Sequence, residues 1–478
     1  MTDQRLPSWR IAAFSAPCLP LAAMLLPVTI YLPNYYARDL GVDLAVVGWA
    51  FGLVRIFDLW FDPALGFAMD RTRTRFGRFR PWVVAGAPIA MLAVFMLFMA
   101  EPGITGAYIL LWLILGFVGQ SMAQLGHMAW AAQAVPSYDQ RSRVYGWWQA
   151  FTVGGMLIIL SLPVLVEKLG GSDTAGVQAM GWFVIAVLPP AILLALMAVR
   201  EPVERQARQP LRLKPFIDMF RQPGVLRLLF VDILLGTGPA LAGTLFFFYF
   251  DAVRGFPRGE AAQLLLVYFV GGLLGAPLWS ILARRIGKHR ALMVAAVFYA
   301  FAQMSVLVSP EGLGWAVAIM FLAGIPFSAG SILLKAMMAD TGDAVRLHTG
   351  ADQTGLLFSL LTGSIKIGSA LAVIIGMNAL AQAGFDPKAG SANSPEALTL
   401  LSGIFTFVPA GLALLGVWII SGYRLDADTH ADIRQKLDAR DQLATFGGQA
   451  APPFGFNEPA EGLQPAPSLV ARPREDTP

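Results

Sequence analysis

Three ionisable residues fall within eight positions of a strongly apolar run: Arg55, Asp58 and Asp62, in the stretch RIFDLWFD. Their spacing of i, i+3 and i+7 puts all three on one face of a helix. One cation and two carboxylates do not sum to a neutral set. The unmatched negative charge needs a proton, a metal cation, or a basic side chain from elsewhere in the chain. Lys366, in the apolar segment LLTGSIKIGSAL, is the basic residue that counting along the chain places at a comparable depth. A carboxylate pair whose neutralising partner can be exchanged makes any conformation that buries the pair depend on a bound cation. The competing reading is a permanently locked Arg–Asp–Asp–Lys cluster that joins two parts of the chain.

Composition sets the elements that must hold these charges. The chain has 478 residues, 56% of them apolar and only 14% charged, with a mean hydropathy of +0.60. A soluble domain carries about 25% charged residues, so the solvent here is lipid, and a disordered or nucleic-acid-binding protein is excluded. The single cysteine, Cys18, excludes an internal disulfide and a multi-cysteine metal site. The first ten residues run straight into an apolar stretch too long for a signal-peptide core, so no removable targeting segment is expected.

A bilayer core about 30 Å thick needs roughly 20 apolar residues of helix. Twelve runs qualify: 11–36, 44–69, 81–100, 105–134, 144–167, 177–199, 224–250, 260–282, 291–309, 312–338, 350–384 and 398–422. Pro17, Pro20, Pro27 and Pro33 predict a bent first span. Alternate connections hold twenty Lys and Arg on one side against five on the other, which places both termini and the long central connection in the cytoplasm. The pattern predicts an all-α membrane protein of two pseudo-symmetric six-helix halves, 1–200 and 224–423, joined by a cytoplasmic linker, 201–223. This is the major facilitator layout, with its binding site between the halves. GFAMDRTRTRFGRFRPW after span 2 and GAPLWSILARRIGKHRAL after span 8 echo one another in matching places. Residues 424–445 read as a cytoplasmic amphipathic helix, and 446–478, with 7 Pro and 4 Gly, as a disordered tail.

Charges at bilayer depth are costly and mark candidate function. Gln120, Ser121, Gln124 and His127 run along span 4 towards Trp130, and with Gln149 on span 5 they are candidates to line a solute cavity. His127 reads equally well as a packing hydrogen bonder or a proton carrier. Trp147 and Trp148 read as stacking groups or interface anchors, and Phe246–Phe248 as packing. Lys335 and Asp232 lie five residues from Asp340 and Arg227, which predicts positions near the cytoplasmic interface, with Lys335 snorkelling. Asp70, Arg71, Arg75, Arg78, Arg141 and Arg143 in the first half, and Asp340, Asp343 and Arg346 in the second, are expected to form the cytoplasmic contacts of an outward-open state. No nucleophile–base pair, phosphate loop or metal-ligand cluster is present in the sequence, so an enzyme is not expected.

The segment RIFDLWFDPALGFAMDRTRTRFGRFRPW, 55–82, resembles the signature of the glycoside–pentoside–hexuronide cation symporters, the family of the melibiose permease. SYDQRSR at 137–143, MMADTGDAVRLHTG at 337–350 and LLTGSIKIGSAL at 360–371 resemble further family segments in register, and the likeness covers 10–440. The resemblance implies that Asp58 and Asp62 bind the coupling cation, with Arg55 beside them, Lys366 facing them and Thr362 one turn away. Phe61 and Ala123 stand where the melibiose permease has an amide and a threonine, which favours the proton over sodium as coupling ion. Ala22 and Gly126 replace its sugar-binding aspartates, while Trp130 keeps the aromatic position.

The expected function is therefore a cation-coupled symporter of the inner membrane, acting as a monomer without a cofactor. Its partners are membrane lipid and a small solute, a sugar or glycoside first, rather than nucleic acid. The alternatives are the same fold carrying an amphiphile such as a lysolipid, and a non-transporting membrane scaffold or sensor.

Overall fold

The computed structural model describes residues 7–134, 138–201, 222–349, 354–423, 425 and 427–447. The side chains of Asp70 and Arg141, most of the linker expected at 201–223 and the tail from 448 lie outside the described residues.

The long helices follow the apolar runs. The N-terminal half contains α1 (Ser8–Asp39), α2 (Leu44–Arg71), α3 (Arg80–Phe98), α4 (Gly106–Ala134), α5 (Tyr138–Lys168) and α6 (Asp173–Ala198). The C-terminal half contains α7 (Pro223–Ala252), α8 (Arg258–Ile286), α9 (Lys288–Ser305), α10 (Leu313–His348), α11 (Thr354–Gln382) and α12 (Pro395–Ser421). A further helix, α13 (Ala427–Gly447), covers the amphipathic segment. The described residues contain no strand, only an isolated bridge between Thr74 and Gly77.

Eleven of the twelve expected spans are long and apolar enough to cross a bilayer. The exception is α9, 18 residues long, whose first turn is Lys288, His289 and Arg290; these three polar residues dilute a run of that length. It nevertheless packs on α12 and on the second part of α10 as a membrane helix of the bundle does.

Local chemistry sets the ends and bends. The Asp43 carboxylate accepts from the amides of Ala45 and Val46 at 2.8 and 3.1 Å and starts α2. Ser172 and Ser394 cap α6 and α12 in the same way. In α1 the helix is interrupted at residues 16–17, then loosens into π-helical turns at Pro27–Tyr31 and Tyr35–Asp39, where prolines cannot donate to the ladder. The two basic turns that echo in sequence also match in backbone: Gly77 (φ +114°) precedes α3 and Gly287 (φ +90°) precedes α9.

Small residues let the helices approach closely, the usual means of packing in lipid. A Cβ at Gly86 would lie 2.6 Å from the Gly119 carbonyl oxygen, joining α3 to α4. Between the halves, α2 lies along α11, where Gly48 and Gly52 face Met377 and Ile374. The outer ends of α1 and α7 meet through Tyr31 and Phe247, ring centroids 4.7 Å apart. The Phe246–Phe248 run is accordingly core, with each residue at most 4% exposed.

Candidate functional site

The centre of the interface between the halves is an ionic cluster drawn from four helices. On α2, Asp58 and Asp62 point to the same neighbour, Lys366 of α11. Its ammonium is 2.7 Å from Asp58 Oδ2, makes a second ion pair with Asp62 Oδ2, and lies 3.4 Å from the Asp58 carbonyl oxygen. Asp58 is 3% exposed, and Ser121 of α4 donates to its other oxygen at 3.3 Å. Asp62 Oδ1 is buried with no hydrogen-bond partner among the described residues.

Arg55 is held apart from this bridge. Its guanidinium donates to Thr29 Oγ1 on α1 at 2.9 Å and lies 4.5 Å from the Phe117 ring centroid on α4. The Thr29 hydroxyl donates to the Leu25 carbonyl at 2.7 Å, which leaves its oxygen free to accept from Arg55. Helical spacing identified Arg55, Asp58 and Asp62, and depth along the chain added Lys366; Ser121 and Thr29 as their hydroxyl partners were not identified. Thr362 does not join them. It is exposed, and its hydroxyl donates to Phe358, one turn back on its own helix, at 2.9 Å.

The polar stripe of α4 splits between the interior and the surface. Gln120 is 6% exposed and donates to the Leu21 carbonyl at 3.3 Å. His127 is fully buried: its Nε2 is 2.8 Å from the Phe14 carbonyl oxygen, its ring stacks on Trp148 at 4.6 Å, and Cys18 Sγ lies 3.9 Å from Nδ1. Trp130, also fully buried, meets Phe14 edge-on at 4.8 Å and has the Arg80 guanidinium 5.3 Å over its ring. In this conformation these three pack α4 against α1 and α5 and face no open cavity, whereas Gln124 and Gln149 are exposed. Helical periodicity puts such residues on one stripe without saying whether a neighbouring helix covers it.

Asp232 lies inside the helix bundle. It is 5% exposed, and its Oδ2 meets the Ser364 hydroxyl, two residues from Lys366. The helix begins at Pro223, and Arg227 folds back onto the Gly422 carbonyl. Lys335 is exposed, as snorkelling requires.

On the basic face, several groups assigned to a cytoplasmic gate pair inside one half. Lys288 meets Asp340 at 2.6 Å, and His430 of α13 meets Asp343 at 2.9 Å and Asp340 at 3.5 Å. Arg434 reaches Asp343 at 3.5 Å, and Arg440 reaches the Arg346 carbonyl at 3.5 Å. Arg71 and Arg75 lie over Phe67 and Phe76. The Arg78 side chain donates to Met69 O at 3.2 Å, and Arg143 donates to Ser8 at 2.9 Å. Glu201, not singled out from sequence, accepts the amides of Arg78, Phe79 and Arg80 at 2.7–3.0 Å and caps α3. Its carboxylate fills the space beside Gly77, where a Cβ would come within 2.1 Å of Oε2. Tyr423, just past α12, bonds Thr341 at 3.1 Å; its burial pushes the phenol up to about 12.

The opposite face carries contacts between the halves that were not anticipated. Arg38 pairs with Asp251 at 3.0 Å. Arg258, at the start of α8, pairs with Asp39 at 2.6 Å and donates to Asn34 of α1, with Asp173 of α6 at 4.0 Å. In the Arg38–Asp251 and Arg258–Asp39 pairs the partners are more than two hundred residues apart, so no local pattern links them.

Two apposed helical halves with a buried charge cluster at their interface define a membrane transporter of the major facilitator type. The family profile described as "MFS/sugar transport protein" matches residues 13–427, and the chain belongs to that family. It is 26% identical over 443 residues to the uncharacterised symporter YnaJ of Bacillus subtilis (strain 168), covering 87% of this chain and 91% of that one. It is 24% identical over 441 residues to the isoprimeverose transporter of Lactiplantibacillus pentosus, covering 87% and 89%. Among solved structures, the nucleoside transporter NupG (D323A mutant) superposes with a TM-score of 0.64 at 11% identity, over 87% of this chain and all of that one. The protein is thus a multi-pass secondary transporter of the inner membrane, and not an enzyme.

Proposed function

We propose that the protein is a cation-coupled symporter that carries a sugar or glycoside across the membrane, with the coupling cation exchanged at Asp58 and Asp62. One observation carries this reading: the Lys366 ammonium, from the opposite half, is the neutralising partner of both carboxylates. A cation that binds the pair competes with Lys366 and so changes how the halves are held together. Binding the cation then raises solute affinity in the favoured state, and by linkage the solute raises cation affinity equally.

The proton fits the local donor set better than sodium does. Sodium requires several hard oxygens, whereas Phe61 stacks on Phe57 at 5.4 Å, Ala123 has no oxygen in its side chain, and Thr362 is bonded elsewhere. Lys366 balances one of the two carboxylate charges, and a proton neutralises the other without needing the several oxygen ligands that sodium does.

The test is the thermal stability of purified protein titrated with NaCl against choline chloride at fixed pH and ionic strength, with Asp58→Asn as control. No sodium-specific shift, together with loss of concentrative uptake in folded Asp58→Asn, is expected. A saturable sodium shift removed by the mutation would replace the proton with sodium. Normal accumulation by Asp58→Asn would refute coupling at this pair. Competition for uptake by glycosides, with lysolipids as the contrasting set, identifies the solute class.

A further inference from the structure

Between α2 and α3 the sequence alternates as RTRTR, 71–75, and the structure gives the two residue types opposite sides. The apolar span of α2 ends at Met69 and that of α3 starts at Arg80, so this turn lies at headgroup level on the basic face. Thr72 is extended (φ −69°, ψ 131°), and in extended backbone successive side chains leave on opposite sides. The threonines turn inward. Thr72 donates to the Ala68 carbonyl at 3.0 Å and accepts from the Trp82 indole at 2.9 Å, and Thr74 donates to the Gly77 carbonyl at 2.7 Å. Arg71, Arg73 and Arg75 are thereby turned outward, and all three are exposed. Phe76 beside them is 62% exposed.

The groups that could neutralise these arginines are occupied elsewhere. Glu201 is taken by the amides of Arg78, Phe79 and Arg80. Across the basic face, Asp340 is taken by Lys288, and Asp343 by His430 and Arg434. Among the described residues, Arg71, Arg73 and Arg75 make no ion pair. The guanidiniums of Arg71 and Arg75 lie over Phe67 and Phe76, at 3.7 and 4.8 Å from the ring centroids, which leaves their N–H edges open. The matching turn of the C-terminal half is built differently. Arg284 and Arg285 sit side by side in the last turn of α8, Arg284 donates to the Ser280 carbonyl of its own helix at 3.4 Å, and Lys288 is held by Asp340. Positive charge on the cytoplasmic side is general to membrane topology. Three arginines on one side of a pinned extended segment, next to an exposed phenylalanine, are particular to the first half.

We propose that Arg71, Arg73, Arg75 and Phe76 form a binding site for the headgroup of an anionic phospholipid in the cytoplasmic leaflet. A guanidinium pairs with two phosphate oxygens at once. Alternate positions in extended backbone are about 7 Å apart, within reach of two long side chains that converge on one phosphodiester. Phe76 enters the boundary between headgroups and acyl chains, where aromatic rings beside cations are favoured. A zwitterionic headgroup carries its own ammonium and lacks the net charge that would draw three cations. The site requires neither the solute nor the coupling cation.

The test is native mass spectrometry of the detergent-purified full-length protein titrated with phosphatidylglycerol and, in parallel, with phosphatidylcholine. The unaltered protein is expected to bind phosphatidylglycerol more tightly. Each arginine beside an anionic headgroup contributes about fivefold. Arg71→Gln/Arg73→Gln/Arg75→Gln is therefore expected to bind its first phosphatidylglycerol about a hundredfold more weakly, with phosphatidylcholine unchanged. Arg73→Gln alone is expected to lose about fivefold, and this arm serves if the triple variant does not fold. Arg284→Gln/Arg285→Gln, at the matching turn, is expected to keep the first phosphatidylglycerol. Equal affinity for the two lipids, unchanged phosphatidylglycerol binding in Arg73→Gln, or an equal loss in Arg284→Gln/Arg285→Gln overturns the proposal. Displacement of phosphatidylglycerol by inorganic phosphate also overturns it, because the site would then belong to a soluble anion.

Discussion

The outer-face grip on Arg258 gives a prediction whose size can be worked out. At 2.6 Å and an effective dielectric of about 20, the Arg258–Asp39 attraction is bounded at about 6 kcal/mol. Desolvation of a side chain only 10% exposed offsets much of this, and a hydrogen bond to a charged group contributes about 1.5–3 kcal/mol net. Taking about 2 kcal/mol, at tenfold per 1.4 kcal/mol, Arg258→Gln raises the ratio of outer-open to outer-closed molecules about 30-fold. The reporter is Gly243→Cys on α7, where a Cβ would sit 3.6 Å from Ile30 of α1 with ordinary contact and no clash. Cys18→Ala supplies a background without other thiols. Labelling by an impermeant maleimide from the outer side is expected to speed up about 30-fold in Arg258→Gln. In Arg38→Gln the gain is about threefold, because the Arg38–Asp251 pair is more exposed, at 28% and 24%, and worth about 0.7 kcal/mol. An unchanged rate in the double variant would refute the idea that these pairs hold the outer face closed.

Further outcomes follow from contacts away from the interface. Tyr423 titrates higher in the folded protein than its ordinary value of 10.0, so its share of stability is whole below about pH 10 and is lost as pH rises through about 12. Alkaline melting curves should therefore fall less steeply over that window in Tyr423→Phe, by at most about 3 kcal/mol. Gly155→Ala places a Cβ 2.2 Å from the Leu19 carbonyl oxygen, a backbone atom that cannot swing away. It should destabilise the α1–α5 packing by about 1–3 kcal/mol, read as a lower melting temperature. His430→Ala removes the group between Asp340 and Asp343. Hydrogen exchange in 427–447 should quicken with solute uptake unchanged, and unaltered exchange would show that other contacts hold α13.

What the sequence made legible was what lipid makes expensive. Arg55, Asp58, Asp62 and Lys366 stood out because each interrupts a long apolar run, and helical spacing alone put the first three on one face. The division of labour among them was not legible, since Arg55 turning to Thr29 and Phe117 while Lys366 takes both carboxylates depends on where α1 and α4 lie. Polarity also misdirected the reading of α4: Gln120 and His127 bond carbonyls of α1 and Trp130 packs against Phe14, and a buried hydrogen bonder has the same spacing as a cavity liner. Asp232 was read only by its distance from Arg227, and the burial it gains against Ser364 depends on where α11 lies. The outer-face pairs were hidden for another reason, since each charge there is an ordinary helix-end residue until the two halves are brought together.

The placement of the contacts along α2 and α11 has a mechanical consequence. Gly48 and Gly52 lie ten and six residues from Asp58, about 15 and 9 Å along the helix, and the Arg258 latch is farther out still. If one half pivots on the other near Lys366, the charge cluster works at a short lever arm and the latch at a long one. Swapping the partner of Asp58 and Asp62 then needs a stroke of little more than a bond length, while the same tilt carries Arg258 well clear of Asp39. The glycines between them receive Met377 and Ile374 of α11, so the trigger and the latch are joined by a stiff rod whose closest contacts with the other half lie between them.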